Sequence, residues 1–202
     1  MTSLRHMDAE QEPPTEPREA YLDAARECVL DLGWRRTTLT EVARRAGVSR
    51  MTIYRTWADR PALLADLLTR EWTAVVDATA PDAARADGLV DRLVAAVRAL
   101  RGNELFVRIV ELDPEVLLPY LTSRRGRSQQ HLIDLLEAAV AAGQAAGEVR
   151  AGDPAVIARA LVLAGHGFVL SMHTMIDGPG GPVSAAALEA ELRLLITRAL
   201  AP

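Results

Sequence analysis

Residues 37–64 read TTLTEVARRAGVSRMTIYRTWADRPALL, and the punctuation of this run leaves room for little but short helices. Thr38, followed three residues on by Glu41, forms a capping box: the hydroxyl takes an amide at the helix start and the carboxylate reaches back. Gly47 supplies the backbone freedom of a tight turn. Ser49 caps a second helix near 50–56. Asp59 caps a third, with Pro61 in its first turn, where a missing N–H costs little. Leu39, Val42, Ala43 and Ala46 fall on one side of the first helix, and Thr40, Arg44 and Arg45 on the other. Three helices in so short a span bury their apolar sides only by crossing one another.

The rest of the chain repeats the helical period. Residues 18–32 put Tyr21, Leu22, Ala25, Cys28, Val29 and Leu32 on one face, and Gly33 stops that helix. Leu63, Leu64, Leu67, Leu68, Trp72, Val75 and Val76 give the helix at 59–79 a broad apolar face. APDAARADG, 80–88, breaks the pattern. Helices resume at about 89–101, 103–111 and 123–143, with LDPEVLLPYL a short helical piece bent at Pro119. Asp153 and Pro154 open a helix to about Ile176, DGPGGP at 177–182 forces a turn, and Ser184 caps a last helix to about Leu200. Aromatic residues are only 4% of the chain, β-branched runs are few, and Gly and Pro sit mostly between periodic stretches. The expectation is an all-α protein of about nine helices. Residues 1–17, acidic and proline-rich, read as a disordered lead-in without a signal peptide.

Charge separates the front of the chain from the back. The formal net charge is −4, and all 23 basic residues are arginine. Residues 18–72 nevertheless hold ten Arg against eight acids, while 73–202 hold twelve against fifteen. The one mildly basic region is the one with the capped short helices, so the overall charge does not exclude a nucleic-acid partner. Cys28 is the only cysteine, which excludes an intrachain disulfide and fits a reducing, cytoplasmic setting. AVIARALVLAGHGFVLSMHTMI, 155–176, is interrupted by Arg159, His166 and His173, and reads as a buried helix rather than a membrane span.

Two short helices joined by AGVS have the parts of a helix-turn-helix. Ala43 is small where the helices cross, Gly47 makes the turn, and Val48 and Ile53 anchor the second helix. The outward side of that helix carries Arg50, Met51, Thr52, Tyr54 and Arg55. In GWRRTTLTEVARRAGVSRMTIYRTWADRPALL, 33–64, and the helix before it, the chain resembles the TetR family of bacterial transcriptional repressors. The matching positions are Gly33, Thr37, Thr38, Ala46 to Ser49, Tyr54, Trp57 and Ala62 to Leu64. GEVRAGDPAVIARAL, 147–161, is similar to the family's usual lead into its penultimate helix. The family often has Phe at Trp57 and Lys at Arg60; Arg keeps the charge and adds a fork of donors.

The resemblance implies phosphate contacts from Thr38, Thr40, Tyr54 and Arg60. Arg50, Met51 and Thr52, at the front of the second helix, are the candidates for base edges, with Arg44 and Arg55 flanking them. The expected domains are a helix-turn-helix DNA-binding domain at 18–60, a connecting helix at 59–79, and a ligand-binding and dimerisation domain at 80–202. The expected partners are a palindromic double-stranded DNA operator, a small hydrophobic or aromatic effector, and a second copy of the chain. The resemblance implies pairing of the last two helices, about 154–176 and 184–200, with those of the second copy. The helix 154–176 is itself apolar on more than one face, which asks for a partner. Trp72, Phe106, His131, His166, Met172 and His173 are the candidate cavity residues. His166 and His173, seven apart, share a helical face, but no third ligand completes a metal site, so no metal and no cofactor are expected. The alternative is a DNA-binding regulator under protein control, or an activator. An enzyme is disfavoured: there is no G-x-S-x-G, no P-loop, no Rossmann glycine set and no zinc-ligand cluster.

Overall fold

A computed structural model describes residues 15–79, 86–176 and 181–202. The expectations placed on 1–14, 80–85 and 177–180 lie outside the described residues. Every regular element among the described residues is helical: nine α-helices of seven residues or more, one of five residues, and two 3-10 turns. The chain divides into two compact units, one ending at Leu67 and the other running from Leu68.

The first unit is built from α1 (Thr15–Leu32), α2 (Leu39–Arg45), α3 (Arg50–Thr56) and the opening turns of α4 (Arg60–Ala78). The caps act as the sequence demands. Thr38 Oγ1 accepts from Glu41 N at 3.1 Å, Ser49 Oγ from Thr52 N at 3.1 Å, and Asp59 Oδ1 from Ala62 N at 2.8 Å. The capping box is one-sided, however. Glu41 gives both carboxylate oxygens to Arg44, at 3.0 and 2.6 Å, because that guanidinium lies one turn away on the same face. Gly47 takes a positive φ of 67°, and Val48 N donates to Ala43 O at 3.0 Å, closing the turn between α2 and α3. Cys28, Val29, Val42, Ala43, Ile53, Leu63 and Leu67 form the core. Trp57 is buried, meets Tyr21 edge-on at 6.4 Å, and donates its indole N–H to Asp66 at 2.6 Å. Asp66 also pairs with Arg18. Arg45, expected to face outward, is half-buried and turns back onto α1, 2.6 Å from Asp31.

The second unit contains the rest of α4, then α5 (Ala86–Arg101), α6 (Glu104–Leu112), α7 (Leu118–Thr122), α8 (Arg127–Ala145), α9 (Pro154–Ser171) and α10 (Ala185–Leu200). Leu89, Leu93 and Val97 of α5 pack into a core with Ile133, Leu136 and Val140 of α8. Ile157, Ala158 and Leu161 of α9 and Leu192, Ile196 and Leu200 of α10 complete it. A Cβ on Gly143 would lie 2.5 Å from Val149 Cγ2, so only glycine lets the loop after α8 fold back this closely. Arg150 closes the end of α10: its backbone N–H donates to Leu200 O at 2.9 Å and its Nε to Ala199 O at 2.7 Å.

Helix α1 starts at Thr15 and α5 at Ala86, each three residues before the expected start, so Thr15–Pro17 are helical rather than part of a disordered lead-in, and three further boundaries differ. Pro119 does not bend one helix. A 3-10 turn, Pro114–Val116, precedes α7, and Pro119 sits in α7's first turn, where its missing amide has no bond to lose. Helix α8 starts at Arg127, not 123, because Gln129 Oε1 accepts the Gly126 N–H at 2.8 Å and fixes the start there. Helix α9 ends at Ser171, and Met172–Met175 tighten into a 3-10 turn.

Residues Pro154–Met175, of mean hydropathy 1.7, are long and apolar enough to cross a membrane by length and composition alone. One side of this segment is in the core, through Ile157, Ala158, Leu161 and Val162. The other side of this helix, expected to be apolar on more than one face, is open: Val156 is 60% and Leu163 70% exposed. None of the described residues covers these two side chains.

Candidate nucleic-acid interface and effector cavity

In the first unit, α3 is held from below and open above. Ile53 is fully buried, and Ser49 pins the first turn through Thr52 N and a hydroxyl–hydroxyl contact at 2.9 Å. Met51 is 75% exposed and Tyr54 47%, values that fit donors and apolar groups awaiting a partner rather than a packed surface. Arg50 and Arg55 are exposed and form no ion pair among the described residues. Thr52 is half-buried. Thr38 and Thr40 are exposed at the start of α2. Their hydroxyls and the first amides of α2 share one helix end, which favours an anion.

Two predicted contact residues are already engaged. Arg44 is exposed but forks onto Glu41; that hydrogen-bonded pairing holds the Glu41 carboxyl below its ordinary range and raises the Arg44 guanidinium. Arg60 donates to Arg35 O at 2.8 Å and lies over the Trp34 ring at 5.2 Å. It is half-buried, so its remaining N–H groups are held in one place rather than swinging freely. No local pattern in the sequence announces this Trp34–Arg60 contact. It joins residues 26 positions apart and was missed.

In the second unit, α4, α5, α6, α7, α8 and α9 enclose an apolar cavity of about 100 Å³. Trp72 and Phe106, both expected there, meet edge-on at 6.2 Å in its wall. The Trp72 indole N–H is buried and donates to nothing among the described residues. His166 is the third expected residue to line the space. Burial pushes its imidazole below the ordinary histidine pKa, so the ring is neutral near pH 7. Its Nε2 is 3.3 Å from Gln129 Nε2, which acts as the donor, so the proton of His166 sits on Nδ1. Gln129 is fixed in turn by Gly126 N and by Tyr120 O at 3.2 Å.

The other three expected cavity residues lie elsewhere. His131 is half-buried and pairs with Asp77 at 3.1 Å. Met172 is buried but does not line the cavity, and His173 is exposed. The reason is the end of α9 at Ser171: in the 3-10 turn that follows, the seven-residue spacing no longer returns His173 to the side of His166. Among the described residues no group of three or more potential metal ligands gathers. Sequence reading missed Leu117, Tyr120, Gln129 and Val169 in the wall, because their helices take their orientation from tertiary packing.

A second, more polar groove of about 380 Å³ adjoins the cavity and shares Tyr120, Leu121, Gln129, Val162 and His166 with it. Arg124, Arg125 and Arg159 line it. On the outer side of the unit, Val156 and Leu163 of α9 are exposed, as are Leu194 (40%) and Leu195 (58%) of α10.

Comparison with known proteins places this architecture. Residues 22–67 match the model of the bacterial regulatory proteins, tetR family. An uncharacterized HTH-type transcriptional regulator of Mycobacterium bovis is 38% identical over 171 residues, covering 85% of this chain and 87% of the relative. The transcriptional regulator FadR of Bacillus subtilis, solved with stearoyl-CoA, is similar in fold. Its TM-score is 0.63 at 16% identity, over 90% of this chain and 98% of that one. The SmeT–triclosan complex has a TM-score of 0.58 at 22% identity, over 93% of each chain.

Proposed function

The chain belongs to the tetR family of bacterial regulatory proteins, and from that premise we propose that it is a transcriptional repressor that binds a palindromic operator as a homodimer and leaves it when a small apolar molecule fills the second unit. The observation that carries this reading is the pairing, in one chain, of an open α3 with an apolar cavity in the second unit.

On the DNA side, α3 enters the major groove. Arg50 reads a guanine through paired N–H donors, and Met51 and Thr52 touch thymine methyls or neighbouring edges. Thr38, Thr40, Tyr54 and Arg60 hold phosphates, with Arg44 and Arg55 beside them; these contacts set register without selecting sequence. Arg60, steadied by Trp34, is a fixed donor for that purpose. Val156 at the start of α9 and Leu194 and Leu195 of α10, all exposed in one chain, pack against their copies in the partner, leaving the groove beside Leu163 open. A dimer then presents two copies of α3 to successive major grooves.

On the effector side, the ligand binds against Trp72, Phe106 and His166. Trp72 and Val76 belong to α4, whose first residue is Arg60, so a ligand pressing on them acts on the helix that also carries a phosphate contact. The ligand favours the arrangement whose two α3 helices are misspaced for DNA, and so draws the population off the operator. Two proteins of like fold were solved with stearoyl-CoA and with triclosan, ligands with large apolar parts, which supports a cavity that takes apolar groups. The test is selection of bound duplexes from a random DNA pool, followed by sedimentation of the free protein and gel shifts at fixed salt. The expected result is an inverted repeat bound by a dimer. A monomer in solution, or a non-repeating site, refutes the reading.

A further inference from the structure

The apolar cavity and the groove beside it are chemically unlike, yet they share five wall residues. The cavity wall carries no charged side chain, and neutral His166 keeps it so. The groove carries three guanidinium groups and no carboxylate. Arg124 lies over the Tyr120 ring at 4.7 Å and donates to Tyr120 Oη at 3.2 Å, so it is mounted on a residue that lines both spaces. Arg125 donates to Gln130 Oε1 at 2.6 Å, and Arg159 reaches only the Ala155 carbonyl at 3.4 Å. None of the three is paired with a carboxylate among the described residues, although the chain as a whole is acidic. Three guanidinium groups without a carboxylate beside an apolar hole give its rim a positive potential that attracts an anion.

We propose that the two spaces are one site for an amphipathic anion, its apolar tail in the cavity and its anionic head on Arg124, Arg125 and Arg159. This rests on the reading of the cavity as the effector site and narrows the effector to that class. The neck of the ligand passes Tyr120, Gln129 and His166, whose polar atoms are held by one another and accept a change from tail to head. The cavity alone, at about 100 Å³, is smaller than the roughly 300–1,000 Å³ of ordinary small-molecule sites, so a ligand of ordinary size must extend into the adjoining groove. Carboxylate and phosphate heads both suit guanidinium forks.

The test uses the full chain and isothermal titration with sodium decanoate, decyl phosphate and decanol, which share a tail and differ in head. Both anions should bind at least tenfold tighter than decanol, and the tighter of the two identifies the head. Arg124→Gln and Arg159→Gln should each weaken the anions about tenfold and leave decanol unchanged. Both side chains are exposed, so the fold is not at stake. The bromine of 10-bromodecanoate should quench indole fluorescence, and Trp72→Phe should remove that quench, because Trp34 and Trp57 lie in the other unit. If decanol binds as well as the anions and the arginine variants change nothing, the inference falls while the effector reading stands. If the quench survives Trp72→Phe, the tail is not in the cavity and the inference falls. If the anions bind as described yet selected DNA stays bound, the inference stands and release by an effector fails. If nothing binds, the inference fails.

Discussion

Replacing Trp57 with Phe tests the aromatic anchor of the first unit. The indole is 3% exposed, and its N–H meets Asp66 at 2.6 Å, where the carboxylate side chain is itself only 11% exposed. A hydrogen bond to a charged, shielded acceptor contributes about 1.5–3 kcal/mol. The smaller phenyl ring leaves a void worth about 1 kcal/mol, and the edge contact with Tyr21 is weakened as well. Asp66 keeps its pairing with Arg18, so the carboxylate is not stranded, and this holds the total to roughly 2–3 kcal/mol. The assay is native-state hydrogen exchange at the Trp57 and Val42 amides, which donate to Ile53 O and Thr38 O and report on this unit by itself. Protection of both should fall together by that amount. A cycle with Asp66→Asn separates hydrogen bond from void: coupling of about 1–2 kcal/mol is expected. A loss below about 0.5 kcal/mol, or an unchanged cost when Asp66 is already Asn, refutes the reasoning.

Other perturbations address the remaining parts. Arg50→Ala should weaken binding to the selected operator by about 1–3 kcal/mol and relax preference at one base, whereas Tyr54→Phe should weaken all duplexes alike; gel shifts on matched and scrambled DNA distinguish them. Gly143→Ala should destabilise the second unit by about 1–3 kcal/mol in urea melts, since the new methyl would meet Val149 at 2.5 Å, and Val149→Ala in the same chain should recover part of that loss. His166, held neutral by burial in the folded chain, binds a proton more readily when unfolded. Its contribution is therefore present above the unfolded histidine pKa, near 6.5, and lost as pH falls below it, so wild type should lose stability on acidification below about pH 6.5 more steeply than His166→Gln. Cys28, fully buried and with its thiol pushed up chiefly by burial, should resist alkylation at pH 8 until the first unit opens; prompt labelling of the native chain would contradict that burial.

What was legible in the amino-acid order is what neighbouring residues decide among themselves. The starts of α2, α3 and α4 could be read because Thr38, Ser49 and Asp59 each accept from an amide three residues on. The open side of α3 followed from Ile53 alone, since one buried position on so short a helix orients the rest. The family could be read for the same reason: its signature is a string of local caps and turns. The wall of the cavity was legible only in Trp72, Phe106 and His166, large or polar residues that stand out on apolar helices.

Tertiary structure alone decided the rest. His173 leaves the side of His166 because α9 tightens after Ser171, and nothing in SMHTMI marks that change of pitch. Arg60 settles on Trp34 and Arg35 O, and Arg159 of α9 comes to line one groove with Arg124 and Arg125 of the loop between α7 and α8; both meetings join positions more than twenty residues apart. Helical periodicity tells which side of a helix is apolar, but not which neighbour that side will meet. The sequence by itself therefore determined that this chain is a helical regulator with a helix-turn-helix at its front. Packing at long range decided which of its polar groups are spent on the fold and which are left for DNA and ligand.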